Sequence, residues 1–491
     1  MDKLADRFIA PKSPPIAILG VPFDTVTTAE TLEMIEQMIQ SRRPHYLATA
    51  NVDFLVHASE DVELRRILFD AHLVLCDGTP LVWASKLLGN PLPERVAGSD
   101  LVPLLLKTAA EKGYRPFLLG ASPDALEAAV KRAQEQYPRL EFAGYYSPPF
   151  NKLLEMDHEE IREKILRAEP DILFVAFGCP KQEKWINMHY RSLRVPVSVG
   201  VGGTIDFLAG RLLRAPFWMQ RTGTEWIFRL CQEPRRLLSR YTTDLSYFTR
   251  GMISQLWRLR SRNVQSSPSL DNKTSPKDAA FTVLEIPPRL DCEEVHTRHA
   301  SYESCITPDK ACILDLARVE FIDSTGIGLL VRLQKRSRAA GQQLILARPS
   351  EIVRRALDLM RLAEFFVIVP TVANAEACLR EAGQFSAVSL RTNAGASLPA
   401  LTWSGELTAA NAEEIWLRTM DHVTARALVQ RGLTIDLGNL RFIDSSGLGV
   451  MVRTRKYAAR QGLDLRFTDP QPNVLNVIRL SRLDEYLLHH E

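Results

Sequence analysis

The chain has 491 residues, enough for about two to four domains, and its 46% hydrophobic and 24% charged content is that of soluble globular protein. A formal net charge of +3 is too small to point to nucleic acid. The seven cysteines (Cys76, Cys179, Cys231, Cys292, Cys305, Cys312 and Cys378) form no CxxC or Cys/His cluster, which argues against a disulfide framework or a zinc site and for a reducing, cytoplasmic setting.

Residues 1–15 are polar and lack the apolar core of a signal peptide. No stretch reaches the roughly 18 apolar residues that a membrane span needs. From residue 16 onward short apolar runs alternate with helical patterns. Strands are expected at 16–19, 46–50, 73–76, 117–119, 172–177 and 197–201, with helices between them, for example over 124–137 and 157–168. The 172–177 run is apolar throughout, as in a strand covered on both faces. The alternation predicts a Rossmann-like α/β domain around a mostly parallel sheet, whose ligands bind beyond the carboxyl ends of the strands.

The strand ends carry Thr49-Ala50-Asn51, Asp77-Gly78, Gly120-Ala121-Ser122-Pro123-Asp124, Gly178-Cys179-Pro180-Lys181-Gln182-Glu183 and Gly202-Gly203-Thr204-Ile205-Asp206. One such tip is ordinary turn chemistry. Five of them gather carboxylates, amides and glycines along one rim. Ser122-Pro123-Asp124 reads as a helix start and not as a ligand site.

In order and spacing, this block resembles the WecG/TagA/CpsF family, glycosyltransferase family 26. The matching residues are Thr49-x-Asn51, Asp77-Gly78, Glu94-Arg95-Val96-Ala97-Gly98, Pro180-Lys181-Gln182-Glu183 and Gly202-Gly203-x-x-Asp206-Phe207. They continue with Arg214-Ala215-Pro216, Glu225-Trp226-Ile227-Phe228-Arg229-Leu230 and Glu233-Pro234-Arg235-Arg236, so that the resemblance covers roughly residues 15–245. It implies an inverting, hexosyl-type transfer from a UDP-sugar to a polyprenyl-diphosphate-linked saccharide, in the synthesis of exopolysaccharide or envelope polysaccharide. The sugars used in the family include N-acetylmannosamine, N-acetylmannosaminuronate and glucose. Asp77 takes the family's general-base position. Thr49, Asn51, Arg95, Gln182, Glu183, Gly203, Asp206, Arg214, Arg229, Arg235, Arg236 and Arg240 are the expected substrate-binding residues. For Asn51 and Glu183 the plain alternatives are a helix cap and a helix-dipole charge; for Arg95 it is a solvated surface arginine. Residues 1–260 contain no Asp-x-Asp, so no metal and no cofactor are expected, and arginines or backbone N–H groups would hold the leaving diphosphate.

Residues 211–260 form a basic appendage. Between Arg211 and Arg262 there are eleven arginines, three acids and no lysine, interleaved with Trp218, Trp226, Phe228, Tyr247, Phe248 and Trp257. Pro234 is expected to divide two helices. Arginine with aromatics suits an anionic lipid surface or an anionic substrate, so the inner face of the cytoplasmic membrane is the expected location, with the protein held there peripherally. A solvated basic face is the alternative. No nucleic-acid motif is present.

Residues 261–279 are rich in Ser, Pro, Asn and Lys and read as a linker. Beyond them Phe321-Ile322-Asp323-Ser324-Thr325-Gly326 recurs 121 residues on as Phe442-Ile443-Asp444-Ser445-Ser446-Gly447, a duplicated domain divided here as 280–383 and 384–491. Each copy reads strand, Asp-Ser-(Ser/Thr)-Gly, helix, and resembles the STAS fold of anti-sigma-factor antagonists, a small α/β unit. The resemblance implies that Ser324 and Ser445 are phosphorylation sites of a kinase resembling an anti-sigma factor, or mark docking of another STAS-binding protein. The alternative is that both serines are helix caps. The first copy has Pro288-Arg289-Leu290 where the second has Gly405-Glu406-Leu407, and is expected to be the less regulated. An enzyme with regulatory or docking domains is the leading reading. A catalytically degenerate scaffold of a polysaccharide assembly is the rival.

Overall fold

The computed structural model describes residues 9–259, 281–308, 310–382, 391–393, 400–427 and 432–488. The expected linker at 261–279 and the joint at 383/384 lie outside the described residues.

The first domain begins with β1 (Ile16–Ile18) and β2 (Val21–Phe23), followed by α1 (Thr28–Ser41), β3 (His45–Ala50), α2 (Val52–Glu60), α3 (Val62–Asp70), β4 (Leu73–Cys76) and α4 (Thr79–Leu87). It continues with α5 (Gly98–Lys112), β5 (Pro116–Gly120), α6 (Pro123–Gln136), β6 (Gly144–Tyr146), α7 (His158–Ala168), β7 (Ile172–Ala176), α8 (Lys181–Leu193), β8 (Val197–Gly200) and α9 (Thr204–Leu208). Local rules account for many boundaries. Thr27 and Glu30 form a capping box at α1. Ser122 caps α6 with Pro123 in its first turn. Five strands (β3, β4, β5, β7, β8), all or nearly all buried, and the edge strand β6 pair in parallel in the order β4-β3-β8-β7-β5-β6. Helices cover both faces.

The strand expected at 16–19 forms outside this sheet. β1 turns back through Leu19 and Gly20, both at positive φ, and pairs antiparallel with β2. An apolar run of that length does not say which partner it takes. This hairpin is the seat of the first STAS-type unit described below.

The basic appendage folds as α10 (Phe217–Thr222), α11 (Glu225–Gln232) and α12 (Pro234–Leu259), with Pro234 opening the last of these. No helix among the described residues is long and apolar enough to cross a membrane.

The first STAS-type unit comprises β9 (Phe281–Glu285), β10 (Arg289–Leu290), α13 (Cys292–Ser304), β11 (Ala311–Asp315), β12 (Phe321–Ile322), α14 (Ser324–Ala339), β13 (Leu344–Ala347), α15 (Glu351–Leu359), β14 (Val367–Val369) and α16 (Val372–Ala382). The second comprises β15 (Arg391–Asn393), β16 (Ala400–Leu407), α17 (Ala412–Ala427), β17 (Gly432–Ile443), α18 (Ser445–Arg460), β18 (Asp464–Thr468), α19 (Pro472–Leu480) and α20 (Asp484–Leu488). The repeat is visible in the strand register. Arg289–Leu290 pairs in parallel with Phe321–Ile322, as Glu406 and Leu407 pair with Phe442 and Ile443. The helix caps are Asp323 and Asp444, each accepting two backbone N–H groups at 2.8–3.0 Å. Ser324 and Ser445 are the first helical residues, not the caps.

Both serines are buried, at 1% and 3% exposure, because both turns face the first domain. Ser324 Oγ accepts from Gln255 Nε2 of α12 at 2.8 Å, and the same amide spans Ala17 and Leu19 of the hairpin. α14 lies so close to the hairpin that a Cβ on Gly328 would stand 1.7 Å from the Pro15 carbonyl oxygen, whereas one on the equivalent Gly449 would meet open space. A matched pair of substitutions separates packing from helix propensity. Gly449→Ala is expected to stabilise by roughly 0.5–1 kcal/mol. Gly328→Ala is expected to destabilise by about 1–3 kcal/mol through overpacking. Urea unfolding of the two full-length variants checks the opposite signs.

Candidate active site

The carboxyl ends of β3, β4, β7 and β8 meet at one rim, and the appendage covers it. Asp77 follows β4, and its backbone N–H bonds the Ala50 carbonyl at 2.8 Å, which sets it beside the end of β3. Gly98, at the start of α5, donates its N–H to Asp77 Oδ2 at 3.4 Å. Burial pushes the Asp77 carboxyl up to about 6. The Arg95 charge, the Gly98 N–H and Arg229 pull it down, and Glu225 pushes it up. Asp77 remains partly exposed to the rim. A carboxylate with that affinity is half ionised near pH 6 and mostly ionised at neutral pH.

Two further acids organise the arginines. Glu225 of α11 accepts from Arg95 Nη1 at 2.8 Å and lies 3.9 Å from Arg214 Nε. Asp100 accepts from Arg95 Nη2 at 2.7 Å and from Arg214. The Phe207 ring lies beneath the guanidinium groups of Arg229 and Arg214, with centroid distances of 5.3 and 5.8 Å. Arg229 also reaches the turn at Gly203, where a Cβ would stand 3.8 Å from its Nη2. Asp77, Arg95, Arg214, Arg229 and Gly203 are thus gathered into one group. Asp206 lies in the first turn of α9 just beyond Gly203.

Other predicted residues serve the rim's architecture. Thr49 donates its hydroxyl to the Gly200 carbonyl at 3.1 Å, joining β3 to β8. Asn51 caps α2, accepting from Phe54 N at 3.4 Å, and its Cβ lies against Gly78. Gln182 Oε1 accepts the N–H groups of Gly178 and Gly202, both at 3.1 Å, and so ties together the loops after β7 and β8. Both glycines have positive φ. Gln182 Nε2 donates to Glu183 Oε1 at 2.7 Å, and burial pushes the Glu183 carboxyl up to about 7. Glu183 is only 3% exposed, so of these two rim acids Asp77 is the one a substrate can reach.

Arg240 pairs with Asp53 at 2.8 Å, by the first turn of α2. Arg235 is exposed on α12. The side chain of Arg236 lies outside the described residues. Sequence reasoning missed Glu225, Asp100 and Phe207. Glu225 and Phe207 stood inside recognised motifs, but their roles arise only when α11 folds over the rim.

Comparison with known proteins agrees with this geometry. Residues 16–262 match the model of the glycosyl transferase WecG/TagA/CpsF family. The chain belongs to this family. Residues 272–375 and 388–490 each match the STAS domain. The chain is 33% identical over 224 residues to the N-acetylglucosaminyldiphosphoundecaprenol N-acetyl-beta-D-mannosaminyltransferase of Staphylococcus aureus strain MW2, a match covering 45% of this chain and 86% of the relative. The namesake from strain MRSA252 matches with the same identity and coverage. Among solved structures, the unphosphorylated anti-sigma factor antagonist SpoIIAA is 18% identical, covering 20% of this chain and 86% of its own, at a TM-score of 0.18. At that score it adds nothing to the fold described above.

The double acceptor role of Gln182 is open to a direct test. Gln182→Leu leaves two half-buried N–H groups unpaired, at up to about 1–3 kcal/mol each. Urea unfolding should show a loss in that range, with Asn151→Ala on the exposed loop before α7 as an unaffected control.

Proposed function

We propose that this family member transfers a hexosyl group from a UDP-sugar to a polyprenyl-diphosphate-linked saccharide, with inversion and without a metal, in the making of an exopolysaccharide or envelope polysaccharide. The observation that carries the reading is Asp77. It is a partly exposed carboxylate of raised proton affinity, at a strand end, flanked by the cations Arg95 and Arg229. Direct displacement at an anomeric carbon needs a base for the acceptor hydroxyl and positive charge for the departing diphosphate. Asp77 supplies the first. Arg95, Arg214 and Arg229, held by Glu225, Asp100 and Phe207, supply the second. The names of the Staphylococcus aureus relatives favour an N-acetylmannosaminyl donor and an N-acetylglucosaminyl lipid acceptor.

The acceptor's lipid suggests where the protein sits. Trp83 and Leu87 on α4, Leu213 before α10, Trp218 on α10, Trp226 on α11 and Leu238 on α12 are exposed. α4 starts two residues after Asp77, and Gly223 at the end of α10 abuts Thr79 there. Apolar and aromatic side chains beside a basic appendage suit peripheral docking on an anionic membrane, with the acceptor delivered next to Asp77. The two STAS domains act as regulatory modules, with Ser324 and Ser445 as the positions a kinase would modify once the domains undock.

Two expectations follow for the enzyme. kcat/KM rises with pH through about 6 as Asp77 ionises and then levels, and Arg95→Gln, which removes the strongest charge lowering that affinity, moves the limb to higher pH. Asp77→Asn lowers kcat by about 10²–10⁴ with donor binding retained, while chelation by EDTA leaves the wild-type rate unchanged. UDP release measured across donors and pH checks these; turnover that needs added Mg²⁺ or Mn²⁺ overturns the metal-free reading, and an active D77N overturns the base. For the membrane, flotation with phosphatidylglycerol vesicles should recover the wild-type chain and markedly less of a Trp218→Ala/Trp226→Ala variant.

A further inference from the structure

α3 is buried along its length from Val62 to Phe69, including Glu63, Arg65 and Arg66. Glu63 is fully buried and faces the serine turn of the second STAS domain. Its Oε1 accepts the backbone N–H of Ser445, at the start of α18. Its Oε2 lies 2.8 Å from Lys184 Nζ, which also holds Asp61 at 2.7 Å. Asn187, one turn along α8 from Lys184, donates to Asp444 Oδ2 at 3.4 Å. α8 is therefore shared. Its first turn carries Gln182 and Glu183, which organise the rim, and Lys184 and Asn187 face the second STAS domain from the same helix.

The charges around Ser445 are unbalanced. Glu63 and Asp444 meet there, and Lys184, the cation beside Glu63, is shared with Asp61. Burial and Glu63 push the Asp444 carboxyl up to about 7. A carboxylate from the transferase domain already occupies the amide-lined start of α18, the place where helix geometry favours negative charge. A second anion on Ser445 would meet Glu63 in a desolvated contact whose cation, Lys184, is already shared between Glu63 and Asp61. The first STAS domain differs. Its serine meets the neutral amide of Gln255, and Gly328 is jammed against Pro15.

We propose that docking of the second STAS domain through Glu63 holds the first turn of α8, with Gln182 and Glu183, in its working arrangement, and that negative charge at Ser445 releases it. Glu63 is a positioning residue that touches no substrate. The consequence for catalysis rests on the transferase reading above; the docking and its effect on α8 do not.

Hydrogen–deuterium exchange on the full chain separates the two. Ser445→Glu should speed exchange on the order of a hundredfold over 62–70, 444–448 and the first turn of α8, the lower end of what an uncompensated buried charge costs. The β17 amides should stay protected and Ser445→Ala should resemble wild type. Glu63→Arg, which puts a cation against the start of α18 and leaves the STAS sequence intact, should release the same segments. Glu63→Gln should restore protection to Ser445→Glu. In a transfer assay, released variants should lose kcat by about tenfold or more with donor KM little changed. Unchanged exchange in both S445E and E63R overturns the latch. Exchange that rises over 62–70 and 444–448 but not over the first turn of α8 overturns the coupling. If the wild-type chain turns over no donor, the transferase reading fails while exchange still decides the latch.

Discussion

The arrangement of this protein depends on one constraint: α3 is buried and charged. Taking a carboxylate or guanidinium out of water costs several kcal/mol unless it is paired and hydrogen-bonded. Each charge on α3 finds its partner in a different direction. Arg65 pairs with Glu364 of the first STAS domain at 2.9 Å. Arg66 pairs with Asp70 on its own helix and with Glu406 of the second STAS domain, and its guanidinium lies over Phe365 and Phe442, one ring from each domain. Asp70 takes Arg338 of the first STAS domain, and Glu63 takes Lys184 and the start of α18. Each face of the helix is thus matched by charge to a different neighbour. This specifies the orientation of all three domains more sharply than apolar contact, which tolerates sliding.

The apolar part of the interface follows that specification. Phe69 packs tilted against Phe365 and edge-on against Phe366, with ring centroids 5.1 and 5.6 Å apart, and Ala17, Val62 and Phe69 belong to the same buried cluster as the core of the first STAS domain. The hairpin β1–β2, α3 and the end of α12 form a platform on the first domain. α12 is thus engaged twice. Its first turns approach α2 and the rim through Arg240 and Asp53, while Gln255 near its far end holds the hairpin and Ser324. An appendage read from sequence as a membrane and substrate element is also the strut on which the first STAS domain rests.

Much of the sheet was legible because parallel buried strands write an unbroken apolar run into the chain, and the rim followed from the rule that ligands meet the carboxyl ends. That rule put Asp77 on the rim; its role as a base came only from the family resemblance. What stayed hidden depended on contacts between segments far apart in sequence. The run at 16–19 has the composition of a sheet strand and becomes a hairpin because the platform for α14 needs it. Gln182 sits in a recognised motif, but its carbonyl oxygen joins Gly178 to Gly202 across 24 residues of chain, a geometry no local pattern records. Residues 62–70, with two arginines and two acids, have the look of a solvated helix. Only the arrival of two later domains turns those charges inward.

The two STAS copies show how one turn can serve opposite ends. In both, an aspartate caps the helix and a serine follows it at the interface, so the backbone presented to the first domain is nearly the same. What meets that backbone differs. Against Ser324 stand a neutral amide and a main-chain carbonyl too close to admit a side chain at Gly328; at this turn the contact is one of shape. Against Ser445 stand Glu63 and its shared lysine, while Gly449, the counterpart of Gly328, faces open space; the contact is one of charge, and a single added anion changes its sign. Shape complementarity makes a fixed joint, and an under-neutralised buried charge makes a reversible one. Duplication followed by that exchange of interface chemistry is a direct route from a structural domain to a switch.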